Sequence, residues 1–417
     1  MSSNPLAAFL GKKNLVGRTI LAIACMTFVT MAGFTNPAMA SNTSIHKEHE
    51  NMVDLKIMTY NIWLGGKVVS FDRTVEAIEA AGADIVGIQE GGSSIPELAE
   101  RLGFHYDEGR QIISRYPIIE SGHPDFVYIE VKPSEVVAVS NTHLTPYPYG
   151  PYDIKDGVSV EDVLKNERTY HMKEVESKFK ELPKLAKDGI PVFLTGDFNV
   201  ASHLDWIEAT KETHFGVTVT WPVSKKLEQL KFRDTYREIN PDPVTHPAFT
   251  WTPVLYEGWD EVHDRIDFIY AAGPSVTLDS QIVGEDGPYS DIKVTPWPSD
   301  HRAVVSTFRT ELADLPKIKD SKISLTSDKL EYGQDEQISL QFSHLFGPNN
   351  WVGIYPTGTN VNSDTPSLDW QYTGKHKKGT LTFQSGKLAP GAYDAVLIYG
   401  AQGRQVLAKT TFTILKP

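Results

Sequence analysis

The chain has 417 residues, of which 40% are hydrophobic and 22% are charged, and its formal net charge at pH 7 is −13. These proportions are those of a folded soluble protein and exclude collagen-like and intrinsically disordered chains. The length exceeds that of one ordinary core and favours two domains, with three also compatible. The negative charge argues against broad electrostatic adhesion to nucleic acid or to anionic lipid.

The first forty residues have the pattern of a cleaved export signal. Three basic residues precede an apolar stretch from Thr19 to Phe34, and the small-residue run Ala38-Met39-Ala40 follows it. This order is typical of signal peptides, and the apolar stretch is shorter than the roughly 20 residues that a membrane span needs. We therefore predict a signal peptide over residues 1–40 and a secreted or periplasmic protein. Its mature net charge would be −16, because the signal carries three basic and no acidic residues.

Cysteine content limits how the mature chain can be stabilised. Cys25 is the only cysteine in the sequence, and it lies within the predicted signal. The mature chain would therefore form no disulfide. Its stability must come from the size of its hydrophobic core, and any metal ion would be bound by oxygen and nitrogen ligands.

Residues 54–310 alternate between strand-like and helical runs and are predicted to form an α/β domain. Strands are predicted over Leu55–Tyr60, Asp84–Ile88, Val136–Ser140 and Pro191–Thr195, and a helix over Phe71–Ala81. The last two strands are apolar on both faces, as expected of central strands that are covered on both sides.

Local signals predict further helix boundaries in this region. Ser94-Ile95-Pro96-Glu97 has the pattern of a capping box with proline in the first turn, and it opens a helix that Gly103 should end. A later segment, from Met172 to Leu182, keeps a helical spacing of apolar residues. Pro183 should end or kink that helix.

The pattern changes near a linker at Glu311–Asp320. Residues 318–417 have no helical period, and strand-like runs between turn signals predict a β-sandwich of about a hundred residues. These runs are Ile338–Phe342, Trp351–Tyr355, Leu381–Phe383, Tyr393–Tyr399 and Phe412–Ile414. Residues 41–317 carry 45 acidic and 27 basic residues, a net charge of −18, so the α/β part holds nearly all the negative charge.

Six short stretches place polar side chains where strands of the α/β part should end. They are Thr59–Asn61, Gly87–Glu90, Asn141–Leu144, Thr195–Asn199, Arg265–Ile269 and Ser299–His301. Each alone is better explained by turn chemistry or by an ordinary histidine. Together they contain more carboxylates, asparagines and histidines than turns require, which favours a functional site.

The ordered motifs TYNIW, GIQE, NTHL, GDFN, RIDFIY and SDHRAV resemble those of the endonuclease/exonuclease/phosphatase superfamily, over about Leu55 to Arg309. The resemblance implies a four-layer α/β sandwich with two packed sheets. It also implies a metal-dependent hydrolase of phosphate esters. Six motifs in this order are specific for the superfamily and much less so for any one of its members.

The resemblance implies a metal site at three of these residues. Glu90 would hold a divalent ion with help from Asn61, and Asp300 would lie close enough to share or support the ion. Ligation by oxygen atoms alone, with waters retained, suits Mg²⁺, with Mn²⁺ as a substitute.

The resemblance assigns the reaction to five further residues. His301 would pair with Asp267, which orients the ring and favours its charged form. Asp197 would orient or deprotonate the attacking water, and Asn199 and His143 would donate hydrogen bonds to the phosphoryl oxygens. Phosphoryl transfer needs little more than a metal ion and fixed donors around an in-line attack, so no covalent nucleophile is required.

The motifs do not decide which phosphate ester is the substrate. The NTHL motif at His143 resembles the pancreatic deoxyribonuclease, neutral sphingomyelinase and tyrosyl-DNA phosphodiesterase branches, whereas the RDTYR motif at Arg233–Arg237 resembles exonuclease III. The acidic composition disfavours nucleic acid without excluding it. We therefore favour small or lipid-linked phosphodiesters, with an extracellular nuclease as the alternative. A non-catalytic binding protein on the same fold is a third hypothesis.

The C-terminal part carries a looser resemblance. Asn349–Pro356 (NNWVGIYP) and Leu388–Gly400 (LAPGAYDAVLIYG) resemble the Ig-like SKICH-type β-domain of some lipid-phosphate phosphatases. This resemblance implies contact with the cell envelope or a lipid surface, and a stabilising module without a ligand is an equally weighted alternative. We expect the chain to be a monomer.

Overall fold

The computed structural model describes residues 52–254, 260–316, 323–344, 350–361, 365–374, 376–399 and 405–417. The predicted signal peptide lies outside these residues. Within them, no helix is long and apolar enough to cross a membrane. The described residues belong to one compact unit, Glu48–Pro417.

The α/β part contains most of the strands and helices. Its strands are β1 (Met52–Asn61), β2 (Ile85–Gln89), β3 (His105–Asp107), β4 (Ile112–Ser114), β5 (Ile118–Glu120), β6 (Val127–Lys132), β7 (Glu135–His143), β8 (Val192–Asp197), β9 (Arg233–Asp234), β10 (Asp267–Ala272), β11 (Ser275–Gly284), β12 (Ile292–Lys293), β13 (Ala303–Glu311) and β14 (Ala313–Asp314). Its helices are α1 (Trp63–Gly66), α2 (Phe71–Ala81), α3 (Ile95–Leu102), α4 (Gly150–Lys155), α5 (Val160–Thr169), α6 (His171–Glu174), α7 (Glu176–Lys187), α8 (Pro222–Gln229) and α9 (Thr235–Ile239). Short 3₁₀ helices form at Gly92–Ser94 and Glu208–Thr213.

These strands form two sheets. The first has the order β12-β11-β13-β1-β2-β4-β3, and the second has the order β5-β6-β7-β8-β10-β9, with β14 paired to β7. In the first sheet β1 is parallel to β2 and antiparallel to β13. In the second sheet β8 is parallel to β7 and antiparallel to β10. Within each sheet, the ends of two parallel strands therefore lie beside the start of an antiparallel one.

Apolar side chains hold the layers together. The facing sides of the two sheets share a central core that includes Ile57, Ile85, Val137, Phe193 and Phe308. The outer face of the first sheet packs against α2 and α3, and that of the second packs against α4, α5, α7 and α8. The predicted mixed α/β architecture with packed sheets is confirmed.

Two local predictions in the helices are corrected. Helix α3 forms and ends at Gly103 as predicted, but Ser94 makes no side-chain capping hydrogen bond. Ser94 already belongs to the turn Gly92–Ser94, and its hydroxyl lies against Gly65, where a Cβ would be 2.8 Å away. Helix α7 continues through Pro183 to Lys187, with its own Leu182 buried, so the predicted end is wrong. The helix predicted from Met172 is interrupted at Val175, between α6 and α7.

The C-terminal part is all-β in the residues that the structure describes. Its strands are β15 (Ser324–Ser327), β16 (Glu331–Tyr332), β17 (Gln337–Ser343), β18 (Trp351–Pro356), β19 (Asp369–Tyr372), β20 (Lys378–Gln384), β21 (Gly391–Tyr399) and β22 (Gln405–Ile414). They form the sheets β15-β17-β20 and β16-β22-β21-β18-β19, which share one apolar core. The five predicted strand runs are confirmed, and the Ig-like class stays a prediction.

The C-terminal sheets contact the α/β part through Tyr399 on β21. Its ring stacks on that of His105 with 5.0 Å between centroids, and its hydroxyl lies 2.6 Å from His105 Nδ1. Lys377 forms an ion pair with Glu120 nearby. The α/β sheets also extend to Asp314 through the pairing of β14 with β7, so the predicted linker begins later than Glu311.

The close approach of the two α/β sheets depends on Gly87 in β2. A Cβ at this position would lie 1.9 Å from Thr195 Oγ1 and 2.6 Å from Asn141 Oδ1, both on the second sheet. Gln89, two residues along β2, donates a hydrogen bond across the gap to Asn141 Oδ1 at 2.7 Å. The sheets are therefore close enough at this end for their side chains to share one site.

We expect Gly87→Ala to lower the free energy of unfolding by about 1–3 kcal/mol, because the added methyl group has no room between the sheets. Chemical denaturation measures this loss. Thr195→Ala removes the nearest clashing atom, so the double variant should recover part of the lost stability. An unchanged unfolding free energy in Gly87→Ala would contradict the close approach.

We also expect His105 to make stability depend on pH. Burial lowers the pKa of His105 from 6.5 to about 4, so between these values the unfolded chain binds more protons than the folded chain. The stability that goes with neutral, buried His105 is fully present above the pKa of the unfolded chain, and it is lost as the pH falls towards the pKa of the folded chain. The loss between pH 7 and pH 5 should be about 2 kcal/mol. Urea unfolding of His105→Gln should show a smaller loss than the wild type, and equal losses would contradict this prediction.

Candidate active site

The predicted site residues meet at one end of the two sheets. Asn61, Glu90, His143, Asp197 and Asn199 end or follow β1, β2, β7 and β8, whereas Asp267, Asp300 and His301 start or precede β10 and β13. Because β10 and β13 run antiparallel to their neighbours, their starts lie beside the ends of the other strands. Alternation of strand direction thus brings all six motifs together.

Asn61 joins the two sheets at this end. Its Nδ2 donates to Asp197 Oδ2 at 3.0 Å and to Glu90 Oε1 at 3.3 Å. Its Oδ1 accepts a hydrogen bond from the backbone N–H of Trp63 at 3.1 Å. Since the amide oxygen is already engaged, the amide nitrogen must face the two carboxylates. Asn61 is buried, so this orientation is fixed by the fold.

Glu90 is held by the turn α1. Its Oε2 accepts a hydrogen bond from the backbone N–H of Leu64 at 2.8 Å, and its carbonyl accepts one from Gly65 at 2.7 Å. The backbone is left-handed at Trp63, Leu64 and Glu90, with φ of +54°, +49° and +58°. This conformation is costly for residues other than glycine. Such strain persists where surrounding contacts enforce it, and it is concentrated at functional sites.

Glu90 and Asp300 supply oxygen donors that fit a divalent cation. Both residues line the same cleft. Asp300 Oδ1 is buried and has no hydrogen-bond partner among the described residues. Burial raises the pKa of Asp300, His301 opposes this shift and Glu90 adds to it. A cation shared by these carboxylates, with Asn61 beside them, would offset their repulsion, and oxygen donors suit Mg²⁺ or Mn²⁺.

Asp197, Asp267 and His301 form a second polar group, whose potential ligand atoms lie within 4.8 Å of one another. His301 Nδ1 lies 3.0 Å from Asp267 Oδ2, and His301 Nε2 lies 3.6 Å from Asp197 Oδ2. Burial alone would lower the pKa of His301, but the charges of Asp267 and Asp197 outweigh it and raise the pKa to about 10. We interpret this group as a charged imidazole held between carboxylates.

Asp197 is the carboxylate best placed to act as a base. Burial raises its pKa to about 6, although His301 opposes the shift. It is therefore mostly ionised near neutral pH. Its Oδ1 accepts a hydrogen bond from the Asn199 backbone N–H at 3.0 Å, and His143 Nε2 lies 3.5 Å from its Oδ2. Asn199 Nδ2 donates to the Leu144 carbonyl at 2.9 Å, which leaves its second amide hydrogen for a substrate.

A cleft of about 160 Å³ opens onto these groups. Its polar lining consists of Glu90, His143, Asp197, Asn199, Asp300 and His301. The remaining lining consists of Pro146, Tyr147, Tyr149, Tyr152, Trp251 and Ile266. Asn61 and Asp267 do not line the cleft. Asn61 donates a hydrogen bond to Asp197, and Asp267 contacts the ring of His301. The part of the lining that the structure describes contains no lysine or arginine.

Sequence reasoning missed Ser299 and the aromatic wall of the cleft. Ser299 Oγ donates to the Asn61 carbonyl at 2.6 Å and accepts from the His301 backbone N–H at 3.1 Å, so it joins β1 to the start of β13. Its position next to Asp300 and His301 was the only sequence signal. Trp251 lines the cleft, and its ring lies 4.9 Å from that of His301. The spacing of aromatic residues in the sequence did not indicate this wall.

One protein family matches the part of the chain that contains the predicted site residues. The profile of the Endonuclease/Exonuclease/phosphatase family matches residues 58–301, which include all eight predicted site residues. An uncharacterised protein of Caenorhabditis elegans is 28% identical over 303 residues, which cover 64% of this chain and 95% of that protein.

Two solved structures are similar to more than half of the chain. Truncated TDP2 of Caenorhabditis elegans is 18% identical, with 62% of this chain and 98% of that chain covered and a TM-score of 0.39. An AP endonuclease from Archaeoglobus fulgidus is 22% identical, with coverage of 60% and 98% and a TM-score of 0.38.

We expect Asp267→Asn to lower the pKa of His301 from about 10 towards its ordinary value of 6.5, because one of the two carboxylates that stabilise the imidazolium is removed. NMR titration of the histidine ring, with a chelator present, measures this pKa. The matched control is Asp54→Asn, which changes an exposed aspartate on β1 and should leave the titration of His301 unaltered. A His301 pKa that is the same in Asp267→Asn and the wild type would contradict the assignment.

Proposed function

Because the chain belongs to the endonuclease/exonuclease/phosphatase family, we propose that it is a divalent-metal-dependent phosphoric ester hydrolase. The observation that carries this proposal is the hydrogen bond from Asn61 on the first sheet to Asp197 on the second. Glu90 lies beside Asn61, and His301, just before β13, lies beside Asp197. A potential cation site and a base with a charged imidazole therefore face one cleft, as hydrolysis of a phosphate ester requires.

In this proposal Glu90 and Asp300 hold Mg²⁺, or Mn²⁺ as its substitute, which when bound neutralises charge on the phosphoryl oxygens. Asn61, predicted from the sequence as a further ligand, instead orients Glu90 and Asp197, because its amide oxygen accepts from the Trp63 N–H and its amide nitrogen donates to the two carboxylates. Asp197, ionised near neutral pH, orients a water molecule and accepts its proton. The water oxygen attacks phosphorus in line with the ester oxygen, whose bond to phosphorus breaks and which takes a proton from solvent. No covalent intermediate with the chain is formed.

The remaining residues bind and orient the phosphoryl group. His301 is kept charged by Asp267 and can donate a hydrogen bond to a phosphoryl oxygen. Asn199 and His143 add further hydrogen-bond donors at the ends of β8 and β7. Preorganised donors of this kind stabilise charge that develops in the transition state, because they do not have to reorient during the reaction.

We propose small or lipid-linked phosphodiesters as the substrate class of an exported enzyme. The cleft is small, its described lining has no basic side chain, and residues 41–317 carry a net charge of −18. An extracellular nuclease is the second candidate, favoured by Tyr147 and Trp251, on which bases could stack. A non-catalytic binding protein, the third candidate, would have no need of both the Glu90 and the His301 ends of the site.

We expect the mature protein to hydrolyse at least one ester in a panel of plasmid DNA, sphingomyelin, glycerophosphodiesters and p-nitrophenyl esters. A chelator should abolish the rate and Mg²⁺ should restore it. Glu90→Gln and His301→Gln should each lower kcat by about 10²–10⁴-fold. The matched controls, Glu311→Gln and His246→Gln, change exposed residues and should retain the wild-type rate.

Full activity of Glu90→Gln or His301→Gln under saturating Mg²⁺ would contradict the proposed mechanism. A chain that hydrolyses nothing in the panel and has no Mg²⁺-linked rise in melting temperature would instead support the binding-protein hypothesis.

A further inference from the structure

Exposed aliphatic side chains lie on the segment that connects β1 to α2, whose first turn binds Glu90. Leu64, Val68 and Val69 are 72%, 46% and 48% exposed, and we call these three residues the apolar lip. The backbone N–H of Leu64 binds the carboxylate of Glu90, which lines the cleft. The apolar lip therefore begins directly at the proposed metal site.

Leu64 is an unexpected residue for its backbone conformation. With φ of +49° and ψ of +48° it is left-handed, a region that glycine and asparagine occupy at lower cost. An exposed leucine gains little packing free energy that could offset this strain. A strained, exposed and apolar side chain next to a polar site indicates contact with a ligand.

A second exposed apolar side chain borders the cleft from the other sheet. Tyr147 lines the cleft and is 66% exposed. The segment that carries it is anchored at Thr145, whose backbone N–H donates to Glu174 Oε2 at 2.9 Å and whose carbonyl lies 2.8 Å from His171 Nε2. The exposure of Tyr147 therefore belongs to a segment held by the fold.

We infer that the apolar lip and Tyr147 contact the acyl region of a zwitterionic phospholipid surface, so that the headgroup phosphodiester enters the cleft. This inference rests on the proposed function and names its substrate class. Aliphatic side chains offer no stacking surface for bases, whereas they and tyrosine both partition into the apolar boundary of a bilayer. The negative charge of the α/β part disfavours anionic lipids and nucleic acids alike.

The cleft also suits a zwitterionic headgroup. Such a headgroup carries a phosphodiester together with a cationic amine. The cleft lining combines carboxylates with Tyr149, Tyr152 and Trp251, and aromatic faces attract organic cations. The same lining contains no lysine or arginine in its described part, so it lacks the basic side chains that bind successive phosphates of a polyanion.

Binding to vesicles tests the apolar lip without relying on activity. The mature full chain is sedimented with phosphatidylcholine vesicles in the presence of a chelator. We expect the variant Leu64→Asn/Val68→Ser/Val69→Ser to lose at least about fivefold in bound fraction, because each buried methylene contributes about 0.8 kcal/mol. A wild type that does not bind, or a triple variant that binds equally well, overturns the inference.

The matched control changes two exposed apolar residues at the opposite end of the first sheet. Val276 and Leu278 are 59% and 41% exposed, and Val276 pairs with Arg309 near the end of β13, away from the cleft. Val276→Ser/Leu278→Asn should bind vesicles as the wild type does. An equal loss of binding in this control would overturn the inference, because vesicle binding would then depend on exposed apolar side chains in general and not on the apolar lip.

Melting temperatures separate a ligand contact from a structural role for Leu64. Asparagine tolerates the left-handed conformation, so Leu64→Asn should melt at or above the wild-type temperature. A decrease of more than about 4 °C would assign the leucine side chain to the fold and overturn its role in lipid contact. The double variant Val68→Ser/Val69→Ser leaves the turn α1 unchanged and should still reduce vesicle binding.

Hydrolysis distinguishes failure of the apolar lip from failure of the proposed function. If vesicle binding depends on the apolar lip but no phosphate ester is cleaved with Mg²⁺, the proposed hydrolase function is contradicted and lipid contact by the apolar lip is retained. If a soluble p-nitrophenyl ester is cleaved but the triple variant cleaves vesicle phosphatidylcholine as fast as the wild type, lipid contact by the apolar lip is contradicted and the proposed hydrolase function is retained. Tighter binding to plasmid DNA than to vesicles also overturns the inference.

Discussion

The site depends on the hydrogen bond between Asn61 and Asp197, which joins two sheets whose facing sides form an apolar core. A polar bond across such an interface is favourable only if both partners are fully satisfied. Trp63 and Ser299 satisfy Asn61, and the backbone of Asn199 satisfies Asp197. The absence of a side chain at position 87 lets the sheets approach closely beside this bond.

The carboxylates of the site outnumber its positive charges, so a bound cation would reduce their repulsion. Glu90, Asp197, Asp267 and Asp300 bring four carboxylates to one end of the sheets, and His301 supplies a single positive charge within hydrogen-bonding reach of Asp267. Buried carboxylates repel one another unless a positive charge is shared between them. His301 serves the Asp197 and Asp267 side, which leaves Glu90 and Asp300 without an equivalent partner. The proposed metal ion would occupy that role.

The turn α1 connects the chemistry to the surface. Its left-handed backbone aims successive N–H groups at Asn61 and Glu90, and the same geometry turns the Leu64 side chain outward. Orientation of the proposed metal ligands and exposure of an apolar side chain therefore have one structural cause. Tyr147 reaches the cleft through a separate anchor at Thr145 on the second sheet. The cleft mouth thus combines features that neither sheet provides alone.

Local patterns in the sequence were sufficient for nine of the strands and for three helical segments, because hydrophobic periodicity is a property of neighbouring residues. The eight site residues were chosen among the polar strand ends through the resemblance to a family. The capping box predicted for α3 and the helix end predicted at Pro183 were wrong. At α3 the hydroxyl of Ser94 lies against Gly65, a contact that the local sequence does not specify. The amide orientation of Asn61, the role of Ser299 and the exposure of Leu64 could not be predicted. Each depends on segments far apart in the chain, as Asn61 and Asp197 are by 136 positions, and only folding brings these segments into contact.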